Sequence, residues 1–280
     1  MKRVLRIVLV IGIGALAAYG WRVAHRPRRV EISNPVAKAQ HRDEQLRVFL
    51  LSELQPVRLT NCELARFGEA NDGGYLLCAN LLGGAQSGYS YGISGYDGWG
   101  CEISRRLKVK VHEYDCFDLT EPVCRGGDTV FHGECVAGAP STDKDGRVFD
   151  TPEHQFAKNG DTGKHLVMKI DVEGAEWETF IAAPDSVLEQ IDQLAVEFHG
   201  SNQERFTDAV LKLKRFFYIA NLHFNNYSCV DNLAPFPSWA YEALLVSKRL
   251  GKPDPSGAPA VPSPLDAPNN PEVADCQATR

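Results

Sequence analysis

The segment His165-Leu166-Val167-Met168-Lys169-Ile170-Asp171-Val172-Glu173-Gly174-Ala175-Glu176-Trp177-Glu178 carries the strongest structural signal in the chain. It opens as an apolar run of strand length, turns acidic at Asp171 and meets a glycine. Helical character from Ala175 to about Ala183 then stops at Pro184. A buried strand that delivers carboxylates at its C-terminal end and enters a helix is how open α/β sheets bind ligands. Crowded acids repel one another, so a proton, a cation or a ligand amine is expected beside them. The plainer alternative is a strand-to-helix turn whose acids favour the helix N-terminus.

Upstream, Gly88 to Glu102 (GYSYGISGYDGWGCE) reads as a short strand, a glycine-rich turn and the start of a helix running from Glu102 to about Leu107. Such a turn lets backbone approach a ligand closely, which makes Gly92, Ser94 and Gly95 candidate binding residues. The next predicted strand, Lys108 to Tyr114, ends at Asp115, about twenty residues on, where a carboxylate can hold ribose hydroxyls. A third strand is expected over Asp128 to Gly133, then an irregular polar connection from Ser141 to Lys164. Downstream follow the end of a helical crossover (Asp185 to Gln190), a strand ending Val196-Glu197-Phe198-His199, and a helix from Glu204 to Phe217. Two last strands, Tyr218 to Asn225 and Tyr241 to Lys248, complete the pattern. Asn71-Asp72-Gly73-Gly74 reads as a hairpin turn before the strand Tyr75 to Cys78.

Lys169-Ile170-Asp171-Val172-Glu173-Gly174-Ala175-Glu176-Trp177, with Asn71-Asp72-Gly73-Gly74-Tyr75 upstream and Val196-Glu197-Phe198-His199 downstream, resembles the FkbM-type, methyltransferase-like family over roughly Leu46 to Leu250. The resemblance implies a class I methyltransferase (Rossmann-like) α/β fold, mostly parallel with an antiparallel edge strand and helices on both faces. It also implies S-adenosyl-L-methionine as cofactor and a sugar, glycan or small-molecule hydroxyl as acceptor. On that reading Gly92, Ser94, Gly95, Asp115 and Asp171 bind the cofactor, and Asp72 and Gly73 are further candidate ligand contacts. Gly133, Glu134 and Asp143 stay open as adenine contacts. Asp171, Glu173 and His199 are the candidate catalytic residues, with Glu173 or His199 taking the hydroxyl proton. Lys169 is expected to pair with Glu197 or Asp115.

No metal ligand is assigned. Asp171, Glu197, His199, His223 and Asn225 nevertheless fall at predicted strand ends, and their donor types suit Mg or Mn. Two rival functions remain. One is a membrane-anchored, metal-dependent glycosyltransferase using Asp171-Val172-Glu173; the other is a non-catalytic binding module.

The ends of the chain set its surroundings. An apolar run from Ile7 to Trp21, flanked by Lys2, Arg3 and Arg6 and then by Arg22, Arg26, Arg28 and Arg29, reads as a single-pass anchor over residues 1–30. A cleaved signal peptide is the rival, because Ala15-Leu16-Ala17 resembles a cleavage site. Residues 31–44 read as a stalk, 45–250 as the catalytic domain, and 251–280 as a disordered proline-rich tail. The net charge of -6 gives no nucleic-acid footprint. The eight cysteines form an even set without a CxxC pair, which points away from a zinc ribbon and toward an oxidising compartment. Cys62 with Cys78, and Cys124 with Cys135, are near-sequence candidates for bridges.

Overall fold

The computed structural model describes residues 35–257 and 262–276, so the anchor or signal segment expected over residues 1–30 lies outside them. No helix among the described residues is long and apolar enough to cross a membrane. The chain forms two units, Met1–His41 and Arg42–Arg280, and the sheet and both hydrophobic cores belong to the second.

A seven-stranded, mostly parallel sheet organises this unit. In chain order its strands are β3 (Ser87–Tyr91), β4 (Lys110–Tyr114), β5 (Asp128–His132), β9 (Leu166–Ile170), β10 (Ile191–His199), β11 (Phe217–Phe224) and β12 (Ala240–Ser247). Across the sheet they run β11-β12-β10-β9-β3-β4-β5. After β3 the chain moves outward through β4 and β5, then returns on the other side of β3 as β9. The strand order therefore reverses between β3 and β9, where open α/β sheets leave a crevice at the strands' carboxyl ends. The one antiparallel strand, β12, pairs with both β10 and β11. This corrects the expected antiparallel edge: β12 lies inside the sheet, and the edge strand β11 runs parallel to the rest.

The two faces are covered differently, and the sequence does not announce this. Leu166, Met168 and Ile170 of β9 pack into one core with Trp177 and Phe180 of α4 (Glu176–Ala182), Val187 and Leu188 of α5 (Asp185–Gln190), and Phe206, Val210 and Leu213 of α6 (Glu204–Phe216). Val167, pointing the other way as the pleat requires, joins a second core with Trp99 and Ile103 of α2 (Gly98–Leu107). The rest of that second face is roofed by a β-hairpin. Its strands, β1 (Leu64–Gly68) and β2 (Gly74–Cys78), contribute Phe67, Tyr75 and Leu77. The hairpin is pinned from below, because the Gln193 side-chain amide both donates to the Cys78 carbonyl (2.9 Å) and accepts from the Cys78 amide (2.8 Å). Helices thus lie on both faces as expected, and on the second a β-hairpin shares the cover with α2.

Other boundaries also differ. Helix α2 starts at Gly98, earlier than expected, because the buried Asp97 caps it by accepting from the Gly100 amide at 2.8 Å. It ends where Lys108 turns left-handed (φ 59), so β4 begins only at Lys110. The region expected to be irregular holds β7 (Ser141–Thr142), β8 (Val148–Asp150) and the helix α3 (Pro152–Lys158), and β7 and β8 form a small sheet with β6 (Glu134–Val136) just before it. Residues 35–44, read as stalk, belong to the helix α1 (Pro35–Glu53).

All eight cysteines are paired: Cys62–Cys78, Cys101–Cys124, Cys116–Cys135 and Cys229–Cys276. The first matches expectation; the pairing of Cys124 with Cys135 is replaced, Cys124 joining Cys101 of α2 and Cys135 joining Cys116 just after β4. Cys229–Cys276 also overturns the disordered tail for residues 262–276. Asn71 and Arg66 donate to the carbonyls of Pro268 and Leu265, Asn226 donates to those of Asn270 and Val273, and Asn269 bridges Asp72 and Glu242. Composition misleads here because these asparagines and a disulfide, not apolar periodicity, hold the segment down.

Glu113 is buried, neither carboxylate oxygen makes a hydrogen bond among the described residues, and burial followed by the nearby Asp97 charge pushes its pKa up to about 8. The folded protein therefore holds this proton where the unfolded chain has lost it, so stability falls as pH rises from the usual glutamate range through 8. Glu113→Gln should show a melting-temperature advantage over the parent that widens by several degrees between about pH 5 and pH 8.5. The double change Cys229→Ser with Cys276→Ser should speed amide exchange at residues 262–276 and leave β9 and β10 protected.

Candidate active site

Four strand ends build the site, the fourth being that of β10 at His199. Gly92 follows β3, Asp115 follows β4 and Asp171 follows β9. The turn after β3 needs glycine: Gly92 has φ 73, and a Cβ there would lie 1.7 Å from the Asp171 carbonyl oxygen. The close approach lets the Asp171 amide donate to the Tyr91 carbonyl at 3.1 Å, tying the two strand ends together. Asp115 holds the same turn from the other side. Its Oδ2 accepts from the amides of Ile93 (3.1 Å) and Ser94 (2.9 Å), and its Oδ1 from those of Phe117 (2.8 Å) and Asp118 (3.1 Å). With four amide donors Asp115 shapes the loop first, and any contact with ligand hydroxyls comes in addition.

Two cavities open here and meet at Gly92, Ser94 and Asp171. One, of about 230 Å³, runs past Asp115 and Glu173 to an apolar end at Phe117, Val136 and Phe149. The other, of about 280 Å³, lies under the hairpin turn and is lined by Glu69, Asp72, Gly73, Tyr96, Asp97 and Lys169. A larger hollow of about 590 Å³ beside α2 shares Glu69, Tyr96 and Asp97 with the second cavity but reaches none of the strand-end acids. We place the site at the two smaller cavities because the chemistry converges there.

At their junction Asp171 is held by two neighbours. The Tyr75 hydroxyl donates to Oδ2 at 3.1 Å, and the Lys169 ammonium stands 4.0 Å from the same oxygen. Burial, together with the charges of Asp171, Glu197 and Glu242, raises the Tyr75 pKa well above its ordinary value, so this phenol is a neutral donor. Lys169 does not pair with Glu197 or Asp115 as expected. Its ammonium donates to the carbonyls of Gly92 (2.6 Å) and Tyr91 (3.2 Å), which again joins β3 to β9.

His199 is clamped by two successive residues of α4. Glu176 Oε1 accepts from the His199 amide (2.8 Å) and stands 3.2 Å from Nδ1, while the Trp177 indole donates to the His199 carbonyl (2.7 Å). A carboxylate only accepts, so Nδ1 carries a proton and Nε2 points into the site. That nitrogen stands 3.6 Å from Glu173, 3.8 Å from Asp171 and 3.9 Å from Glu197. Burial would lower the His199 pKa, but the hydrogen bond and charge of Glu176, with Asp171 and Glu173, outweigh it and raise the value. Glu173, an exposed side chain at the rim of the site, stands on a left-handed backbone (φ 54), a conformation costly for a residue with a side chain.

Asp171, Glu173 and His199 thus come together, as do the cavity residues Gly92, Ser94, Asp115 and Asp171. Gly95 lies apart, turned toward Asp118 and Thr120. His223 and Asn225 are elsewhere too: His223 faces Glu242 and Asp275, and Asn225 donates to Glu197 at 2.7 Å. Of the open adenine contacts, Glu134 pairs with Lys158 and Asp143 with Arg147. Phe117, Val136 and Phe149 line the apolar end of the first cavity. They lie in a stretch without periodicity, so only their apolar character in a polar region could have marked them. Tyr75 and Glu176 were also missed, each being one residue in a motif read for its neighbours.

No family model matches this chain, and no curated protein matches it. The site is therefore read from its own geometry. Gly92→Ala should destabilise the protein by more than about 3 kcal/mol, measured by denaturant unfolding, because backbone carbonyl atoms cannot yield to a new Cβ.

Proposed function

We propose that the protein is an S-adenosylmethionine-dependent methyltransferase of the class I type, acting on a hydroxyl of a sugar, glycan or small molecule. One observation carries the reading: two cavities at the switch point of the sheet share a single carboxylate, Asp171, so two ligands could meet there. The strand order, with its one antiparallel strand, β12, lodged between β10 and β11, agrees with that fold class, as do the sequence motifs around Asp171.

The residues fit the cofactor in kind. The first cavity offers an apolar, partly aromatic end for a flat base, a carboxylate wall at Asp115, and acids at Asp171 and Glu173 for a cationic group. S-adenosylmethionine supplies a methyl group on a positively charged sulfur. The protein's own task is to place an acceptor hydroxyl against it and take up the proton. Asp171, fixed by Tyr75 and Lys169, is the orienting group between the cavities. Glu173 or His199 receives the proton, and Glu176 keeps the imidazole in the tautomer that leaves Nε2 free. The hairpin turn, with Asp72 and Gly73, walls the acceptor side.

A membrane location through residues 1–30 belongs to this proposal, and the four disulfides support an extracytoplasmic or lumenal catalytic domain. The metal-dependent glycosyltransferase draws support from the clustering of Asp171, Glu173 and His199, and would instead require nucleotide-sugar binding.

Calorimetry with the full chain tests the reading. S-adenosylmethionine and S-adenosylhomocysteine should both bind, and Phe117→Ala should weaken both by about tenfold. Asp171→Asn should keep the fold and abolish methyl transfer to any hydroxyl acceptor that the parent methylates. Binding of a nucleotide sugar in place of both nucleosides would overturn the proposal.

A further inference from the structure

We propose that Asp171, Glu173 and His199 form a binding site for one divalent transition-metal ion of the Mn(II) or Zn(II) kind. Each offers one donor atom, and the three atoms lie within 4.8 Å of one another. The imidazole Nε2 stands 3.8 Å from Asp171 Oδ1 and 3.6 Å from Glu173 Oε2. Ligands bound at about 2.0–2.3 Å to one ion stand roughly 3–4 Å apart, so both imidazole–carboxylate separations suit an ion, and the exposed Glu173 side chain is placed to close on it.

The outer contacts distinguish this from a chance meeting of acids. His199 is 4 % exposed, and its Nε2 faces the carboxylates of Glu173 and Asp171, with that of Glu197 at 3.9 Å beside them, and has no hydrogen-bond partner among the described residues. Its other ring nitrogen is held by Glu176, a carboxylate with no exposure at all. Carboxylate behind imidazole is the arrangement that aims a histidine at a metal. Asp171 has the same kind of support, with Oδ2 held by Tyr75 and Oδ1 turned toward Nε2. The nearest cation, Lys169, is 4.0 Å from Oδ2 and is engaged by two backbone carbonyls, so it does not occupy the space among the three donors.

One imidazole and two carboxylates suit Mn(II) or Zn(II) better than Mg(II), which favours oxygen alone. Three protein ligands leave coordination positions open toward the junction of the cavities, where an oxygen of water or of a hydroxyl-bearing ligand would enter. A coordinated hydroxyl loses its proton more readily, so the ion would take over from His199 the task of activating an acceptor. That use of the ion rests on the methyl-transfer reading; the binding of the ion does not.

The test is therefore made on the full chain, stripped with chelator and without nucleoside. Mn(II) is titrated in, and the free ion is followed by its paramagnetic resonance signal. One ion should bind per chain at submillimolar concentration, with Zn(II) displacing it. Glu173→Gln changes an exposed side chain and should weaken binding by tenfold or more. Glu176→Gln, a change in a positioning residue, should weaken it by about 10–100-fold while circular dichroism stays native. If Glu176→Gln does not fold, Glu173→Gln remains decisive. No binding at millimolar Mn(II), or binding that Glu173→Gln leaves unchanged, would overturn the proposal, whether or not the nucleoside binds.

Discussion

The structure depends on how helix α4 grips the end of strand β10. Glu176 and Trp177 are successive residues, yet they hold the amide, the imidazole and the carbonyl of His199 between them. Trp177 is stacked between Phe198 and Phe206, at 4.5 and 4.4 Å between centroids, so the grip is set inside the core. Glu176 is completely buried and also accepts from the Gly174 amide at 2.8 Å. A buried carboxylate with three donors is tolerated; removing its partners would cost about 3–5 kcal/mol. The same contacts fix the loop carrying Glu173 and the histidine facing it. Core stability and site geometry are thus one set of interactions.

A second constraint closes the site from above. The hairpin of β1 and β2 roofs part of the sheet where α/β proteins more often place a helix, and it brings Tyr75 to Asp171. Gln193 and the Cys62–Cys78 bridge hold the hairpin at its far end. The C-terminal segment holds it at the turn, where Asn269 links Asp72 to Glu242 of β12. Glu242 lies in register with Glu197 on one side and His223 on the other. A row of buried polar groups therefore extends from beneath the hairpin to the tail. Burial, with the charges of Asp171 and Glu242, raises the Glu197 pKa well above its ordinary value, so this row does not carry the full charge that its formula suggests.

Much of this was legible in the sequence. The parallel strands announce themselves as short apolar runs, and Asp115 and Asp171 follow, and His199 closes, their carboxyl ends. Gly92 was marked by a turn chemistry that only glycine satisfies. What escaped was long-range pairing. Nothing local says that β12 enters between β10 and β11, that Cys124 joins Cys101, or that Asn269 reaches Asp72 across 197 residues. The tail is the clearest case: proline and small polar residues read as disorder, whereas a disulfide and several asparagine side chains hold it without apolar burial. Phe117 and Phe149 escaped for a related reason, since their wall is assembled from a region with no repeating pattern.

The most direct test of the account is a structure of the protein with S-adenosylhomocysteine. The account predicts the base against Phe117 and Phe149, the ribose beside Asp115 and the Ser94 turn, and the sulfur facing Asp171 at the junction of the cavities. A nucleoside seated elsewhere, or a cavity at Asp171 filled instead by another class of ligand under the same conditions, would contradict it.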